Sequence, residues 1–213
     1  MNRKLAILSA VPVIIILLSA ATVQAGMVVF VEQERYVQAD IVWGDPDIPG
    51  GGDDHALDSA SDYGLFDSTV SVSTPWGGGP WASASQLSEI SGATVSASGS
   101  AESGGNNGAW NFSDSISSFS LTFELTAPQE FSIAGSLSAG GMSSTAGIRL
   151  TGPAGTILDE WVHPRFWWDP PMYAEFSISG VLDPGEYTLH AWSVASAHVD
   201  ETPTASFSFV GEI

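Results

Sequence analysis

Phe119-Ser120-Leu121-Thr122-Phe123-Glu124-Leu125, then Ala127-Pro128-Gln129-Glu130, then Phe131-Ser132-Ile133-Ala134-Gly135-Ser136-Leu137: this stretch decides the fold class. Every second residue is apolar, and Ser, Thr or Glu stands between. That period of two puts one edge of an extended segment into a core and the other into water. The Pro-bearing tetrapeptide between the two runs supplies a turn. The same alternation recurs at Phe66–Ser73, at Ser115-Ile116 just upstream, and at Tyr173–Ile178, Tyr187–Val194 and Ala205–Val210. Gly152-Pro153-Ala154-Gly155 and Leu182-Asp183-Pro184-Gly185-Glu186 add two more turn signals. Short strands at this spacing predict an all-β protein, an antiparallel β-sandwich of jelly-roll type.

The flanking segments carry weaker patterns. Gly44 to Gly64 is rich in Asp, Gly and Pro and reads as a long loop. Gln33 to Ala39 and His55 to Ser61 are the two places where a short helical turn would fit. Ser83 to Gly108 is rich in Ser, Ala and Gly and reads as a long edge strand followed by a turn at Gly104-Gly105-Asn106-Asn107-Gly108. Small side chains specify register poorly, so the N-terminal third is expected to be the looser part of one domain spanning residues 26–213.

Upstream of that domain stands a leader. Arg3 and Lys4 precede an apolar stretch from Leu5 to Leu18, and Val23-Gln24-Ala25 places small residues where a signal peptidase cuts. Residues 1–25 therefore read as a secretory signal helix. The apolar stretch is short of the roughly 20 residues a membrane span requires. The expected location is outside the cytoplasm, periplasmic or extracellular, with no membrane span in the mature chain.

The chain has 24 Asp and Glu against 5 Lys and Arg. Removal of Arg3 and Lys4 leaves Arg35, Arg149 and Arg165 against 24 carboxylates, a formal charge of −21. Nucleic acid is excluded as a partner, because phosphate recognition needs clustered cations. Divalent cations, neutral polysaccharides and other surface proteins remain. With no Cys, thiol chemistry and disulfides are excluded, and eight Trp and ten Phe are left to stabilise the fold.

Part of the chain is familiar. Ser117 to Leu137, Ile148-Arg149-Leu150-Thr151-Gly152-Pro153-Ala154-Gly155-Thr156-Ile157 and Phe176 to Leu189 resemble bacterial exoproteins of the PEP-CTERM type. The last segment is also similar to pre-peptidase C-terminal β-sandwich domains. The resemblance covers roughly residues 115–210 and implies a sandwich fold and export. The Pro-Glu-Pro sorting tail is missing, so anchoring by an exosortase is not implied, and no catalytic residue carries over.

Two clusters are candidate sites. Asp45, Asp47, Asp53, Asp54, Asp58 and Asp62 gather around Gly50-Gly51-Gly52, the oxygen-rich, Gly-bearing composition that Ca²⁺ prefers. A solvated acidic loop has the same composition. Trp161, Trp167 and Trp168, with Trp76 and Trp81 elsewhere, could stack on sugar rings from exposed loops while Arg165 bonds the hydroxyls. The same indoles could instead cover the open end of the core. No Gly-x-Ser-x-Gly elbow or His-Glu-x-x-His pair occurs, and the chain reads as a non-enzyme. The expected role is structural or interactive at the cell surface or in the extracellular matrix, with carbohydrate binding through the Trp-rich loops as the alternative.

Overall fold

A computed structural model describes residues 27–44, 51–75, 78–105, 111–166, 168–197 and 201–213. The expected leader, residues 1–25, lies outside the described residues. Twelve strands are described: β1 (Val28–Trp43), β2 (Gly52–Ser59), β3 (Phe66–Ser73), β4 (Trp81–Ser91), β5 (Thr94–Gly104), β6 (Phe112–Leu125), β7 (Gln129–Gly140), β8 (Ser144–Gly152), β9 (Gly155–Val162), β10 (Met172–Leu182), β11 (Gly185–Ala197) and β12 (Thr204–Glu212). They form a front sheet, β2-β1-β6-β11-β8-β9, and a back sheet, β10-β7-β12-β5-β4-β3, each antiparallel throughout and packed face to face.

The order of the last eight strands is that of a jelly roll. From β5 onward the chain switches sheet at every connection except the β8–β9 hairpin. The result is two four-stranded halves, β6-β11-β8-β9 over β10-β7-β12-β5. The four N-terminal strands extend both halves at the same side. β1 and β2 continue the front sheet beyond β6, and β4 and β3 continue the back sheet beyond β5. We call β1–β4 the annex.

Alternation explains what is buried. On β6, Phe119, Leu121, Phe123 and Leu125 point inward. They meet Phe131, Ile133 and Leu137 of β7, Leu189 of β11, and Phe207 and Phe209 of β12 in one large cluster. Phe119 stands edge-on to Phe209 at 5.3 Å, and Phe123 stacks with Tyr187 at 5.5 Å. The Tyr187 hydroxyl donates to the Asp183 carbonyl at 2.8 Å, tying the start of β11 to the turn before it. Toward the other end of β6, Ser113, Ser115 and Ser117 replace the aromatics and are buried against Ser103 and Ser193. The Ser103 hydroxyl donates to the Ala195 carbonyl at 2.7 Å, holding the sheets together where side chains are small.

The annex packs differently. Apart from Ile90, which joins the large cluster with Val28 and Phe30 packed against it, its apolar interior is two small clusters, Ala39, Ile41, Val72 and Ala82 in one, and Val37, Phe66 and Ala84 in the other. Beside the second sits Arg35, 1% exposed. Its guanidinium donates to the carbonyls of Asp62 and Gly64, to Ser88 and to the Gln33 side chain, and it lies 5.8 Å from the centre of the Phe66 ring. Among the described residues no carboxylate forms an ion pair with it.

Three expectations need correction. Residues 52–59 of the supposed long loop form β2, paired along its length with Tyr36–Trp43. The segments 33–39 and 55–61 hold no helical turn, because they lie in β1 or reach from β2 into the turn that follows. Ser83 to Gly108 is not one edge strand. It contains most of β4 and all of β5, joined by a two-residue turn at Gly92-Ala93, and β5 sits inside the sheet between β4 and β12. Gly92 has φ +57°, which hairpin turns of this length demand and which Gly adopts without strain.

Candidate functional site

The front sheet turns its outer face to solvent, and long-range register aligns residues from five strands into rows on it. One row runs Tyr36 (β1), Ser118 (β6), Trp192 (β11), Gly147 (β8), Trp161 (β9). Aromatic rings therefore stand on every second strand, with small residues between. At ~4.8 Å per strand, neighbouring aromatic positions are roughly 10 Å apart. Gly147 is what lets Trp192 lie down. A Cβ there would come within 2.2 Å of the indole Cζ2, so the ring leans over β8.

The next row is polar: Glu34, Ser120, His190, Arg149, Asp159. Arg149 forks onto Asp159, Nε to Oδ1 at 3.0 Å and a second N–H to Oδ2 at 3.2 Å. His190 stacks on Trp192 at 4.9 Å, and its Nε2 lies 3.4 Å from the Ser118 hydroxyl. Burial first, and then the Arg149 guanidinium, hold its imidazole below the ordinary value against the opposing pull of Glu34. His190 is therefore neutral at pH 7. A third row carries hydroxyls, Thr122, Thr188, Thr151 and Thr156, with Glu32 at its β1 end, and Thr122 and Thr188 are 3.2 Å apart.

Because β6 presents only Ser118, Ser120 and Thr122 here, while its neighbours carry longer side chains, a trough runs along it. The open depression has a volume of about 470 Å³, and Glu34, Tyr36, Arg149 and His190 stand around it. A second, of about 430 Å³, lies on the other side of Tyr36 toward Leu57 and Ser59. On the back sheet, the depression beside Ser85, Ser100 and Ser206 has Asp67 as its one charged lining residue, and another, beside Phe131, is lined by Glu130 and Glu212 without a cation.

The sequence candidates fall partly on this face. Trp161 belongs to its aromatic row and is 58% exposed. Trp168 follows in the β9–β10 loop, 62% exposed and stacked on Phe166 at 4.9 Å with the rings parallel. Neither indole covers the core. The Asp169 carboxylate shapes that loop by accepting the backbone N–H groups of Arg165 and Phe166, each at 2.9 Å. Arg165 is exposed there. Trp81 is elsewhere: it starts β4 and lies over Gly104 of the back sheet, so it shares no platform with Trp161. Trp76 and Trp167 lie outside the described residues.

The acidic cluster is not drawn together. Asp45 and Asp47 lie outside the described residues. Asp53, Asp54 and Asp58 stand on edge strand β2, where alternation sends Asp53 to one face and the other two to the opposite one. Asp54 accepts the N–H of His55, and Asp58 accepts the N–H of Ser59 and the Ser68 hydroxyl at 2.5 Å. The His55 ring pairs with Asp40. Among the described residues no three His, Asp or Glu side chains are grouped to hold a metal ion.

Tyr36, Arg149, His190 and Trp192 were not singled out as a site by sequence. Their types are visible, but the assembly depends on β11 pairing between β6 and β8, which no local pattern announces. Compared with models of known protein families, the chain matches none. No curated protein matches it either.

Proposed function

We propose that the chain is an exported interaction protein of the cell surface or extracellular matrix that adheres to polysaccharide through the outer face of the front sheet. The observation that carries this reading is the aromatic row Tyr36, Trp192, Trp161, set on alternate strands. An extended β-linked sugar chain repeats its orientation every second ring and can rest successive apolar faces on such a row, while the Ser hydroxyls, His190 and Arg149 beside it bond the sugar edges. The Phe166–Trp168 stack extends the same aromatic surface into the β9–β10 loop. The tripartite leader and the resemblance to exported sandwich proteins support the compartment.

The reading is of a binder and not of a glycosidase. Hydrolysis needs two carboxyl groups about 5–9.5 Å apart across a bond. Glu34 and Asp159 of the polar row stand four strands apart, roughly 19 Å at ~4.8 Å per strand, and Asp159 is engaged by Arg149; Glu124 and Glu186, directly opposite on β6 and β11, project side by side from one open face and do not stand across a bond from one another.

Affinity electrophoresis through gels containing soluble polysaccharides tests the reading. Retardation should fall about fivefold for each of Trp161→Ala, Trp192→Ala and Tyr36→Ala, corresponding to ~1 kcal/mol per lost ring contact. Equal retardation of the triple variant and the parent would sink the proposal.

A further inference from the structure

We infer that the polymer this face selects carries free amines: a glucosamine-type chain with protonated amino groups, in preference to its acetylated counterpart or a uronate chain. The inference rests on the polysaccharide reading and names the ligand class for the same site.

It follows from which charges on the face are cancelled. Among the described residues, the only strong cation in these rows is Arg149, and the fork to Asp159 neutralises it. His190 adds no charge at pH 7, because burial and Arg149 keep it neutral. The carboxylates have no such partners. Glu34 stands at the trough beside Tyr36, and Glu32 lies one row further along β1. At the same end of the trough Glu124 of β6 and Glu186 of β11 are directly opposite one another, both exposed. Like charges in that position repel and lower stability. None of these four carboxylates forms an ion pair among the described residues.

The trough is thus floored by hydroxyls, with aromatic rings at one end and Glu34 on its β1 wall, while Glu32, Glu124 and Glu186 follow beyond it toward the other end of β6. These carboxylates are spread over three strands, not gathered around one point, which suits charges repeated along a polymer and not a single metal ion. Each ammonium would gain a carboxylate across the wall, or lie over the Tyr36 or Trp192 ring as a cation–π contact. An acetylated chain would keep the ring stacking and lose the charge pairing. A uronate chain would meet Glu34, Glu124 and Glu186 as like charges, on a protein whose formal charge is already −19.

Titration calorimetry with length-matched oligomers of glucosamine, N-acetylglucosamine and a uronic acid, below the pKa of the sugar amine, separates the possibilities. The amine oligomer should bind roughly tenfold or more tightly than the acetylated one, a difference of about 1.4 kcal/mol. That preference should collapse in Glu34→Gln combined with Glu186→Gln, and persist in Glu175→Gln on the back sheet. Trp192→Ala should weaken both oligomers. If the acetylated oligomer binds as well as the amine form, or the double variant keeps the preference, the inference falls while the polysaccharide reading stands. If no oligomer binds, both fall. Polylysine binding as strongly as the amine oligomer, with Trp192→Ala without effect on either, would mean attraction to charge alone and would also overturn the inference.

Discussion

Between Thr94 and Glu212 the interior is built of Phe, Leu and Ile, and aromatic rings from three strands touch. Between Val28 and Ser91 it is built of Ala, Val and Ile with Phe66, and an arginine is buried among them. The two regions share the same two sheets, with β1 pairing β6 and β4 pairing β5 along nearly their full lengths. Backbone pairing is therefore common to both, and side-chain burial is what differs. Large apolar side chains supply most of the driving force in the jelly roll. In the annex, Arg35 replaces it with directed hydrogen bonds that tie β1 to the turn before β3 and to β4.

Substitution in each region should reveal that difference. The largest effect is expected for Phe119→Ala, which removes a ring with no exposed surface from between the sheets. Its cost should be about 3–5 kcal/mol, and chemical denaturation should show the whole chain losing stability together. Arg35→Ala should cost less, about 1–3 kcal/mol, because it leaves the buried Ser88 without its donor and frees the Asp62 and Gly64 carbonyls. Hydrogen exchange should locate that loss in β1–β4, with β6, β11 and β12 still protected. If exchange accelerates equally in β12, the annex and the jelly roll are one cooperative unit and the distinction drawn here fails.

The smallest effect concerns protons. His190, on the outer face of the jelly roll, is held below its ordinary value in the folded chain, chiefly by burial. As pH falls below about 6.5 the unfolded chain takes up this proton first. The stability associated with a neutral His190 is thus complete above that pH and is lost progressively below it. Thermal melts from about pH 5 to pH 8 should show this decline in the parent and a flatter profile in His190→Gln. An unchanged profile in His190→Gln would remove the assignment.

The same contrast explains which strands could be read in advance. β6, β7, β11 and β12 alternate Phe, Leu or Ile with Ser or Thr, a large swing in hydropathy at period two. In β4 the inward residues are Ala82 and Ala84 and the outward ones Ser83 and Ser85, so the period is present with little contrast. In β1 a bulge between Phe30 and Glu32 shifts the phase, and an inward position is filled by Arg35. The pattern breaks twice in one strand, which left room for a helical reading. β2 is an edge strand exposed along most of its length, and its Asp-rich composition is that of a loop. At the candidate site, the clustering of Trp161 and Trp168 with Pro, Asp and Arg was legible, but it fitted exposed stacking rings and a cover over the core equally, and only their exposure in the fold decides for the first. Tyr36, Arg149 and His190 lie more than a hundred residues apart in part, and only the register brings them together.

One strand has a consequence for how the molecule comes to exist. β12 lies in the interior of the back sheet, between β5 and β7, yet it is made after every other strand described. Until residues 204–212 have been synthesised, β5 and β7 each present a bare edge to a gap one strand wide, and Phe207 and Phe209 are missing from the centre of the aromatic cluster. Closure joins segments separated by about half the chain, the kind of contact that makes folding slow. The strand made last of those described is thus the one that completes the back sheet and the aromatic cluster.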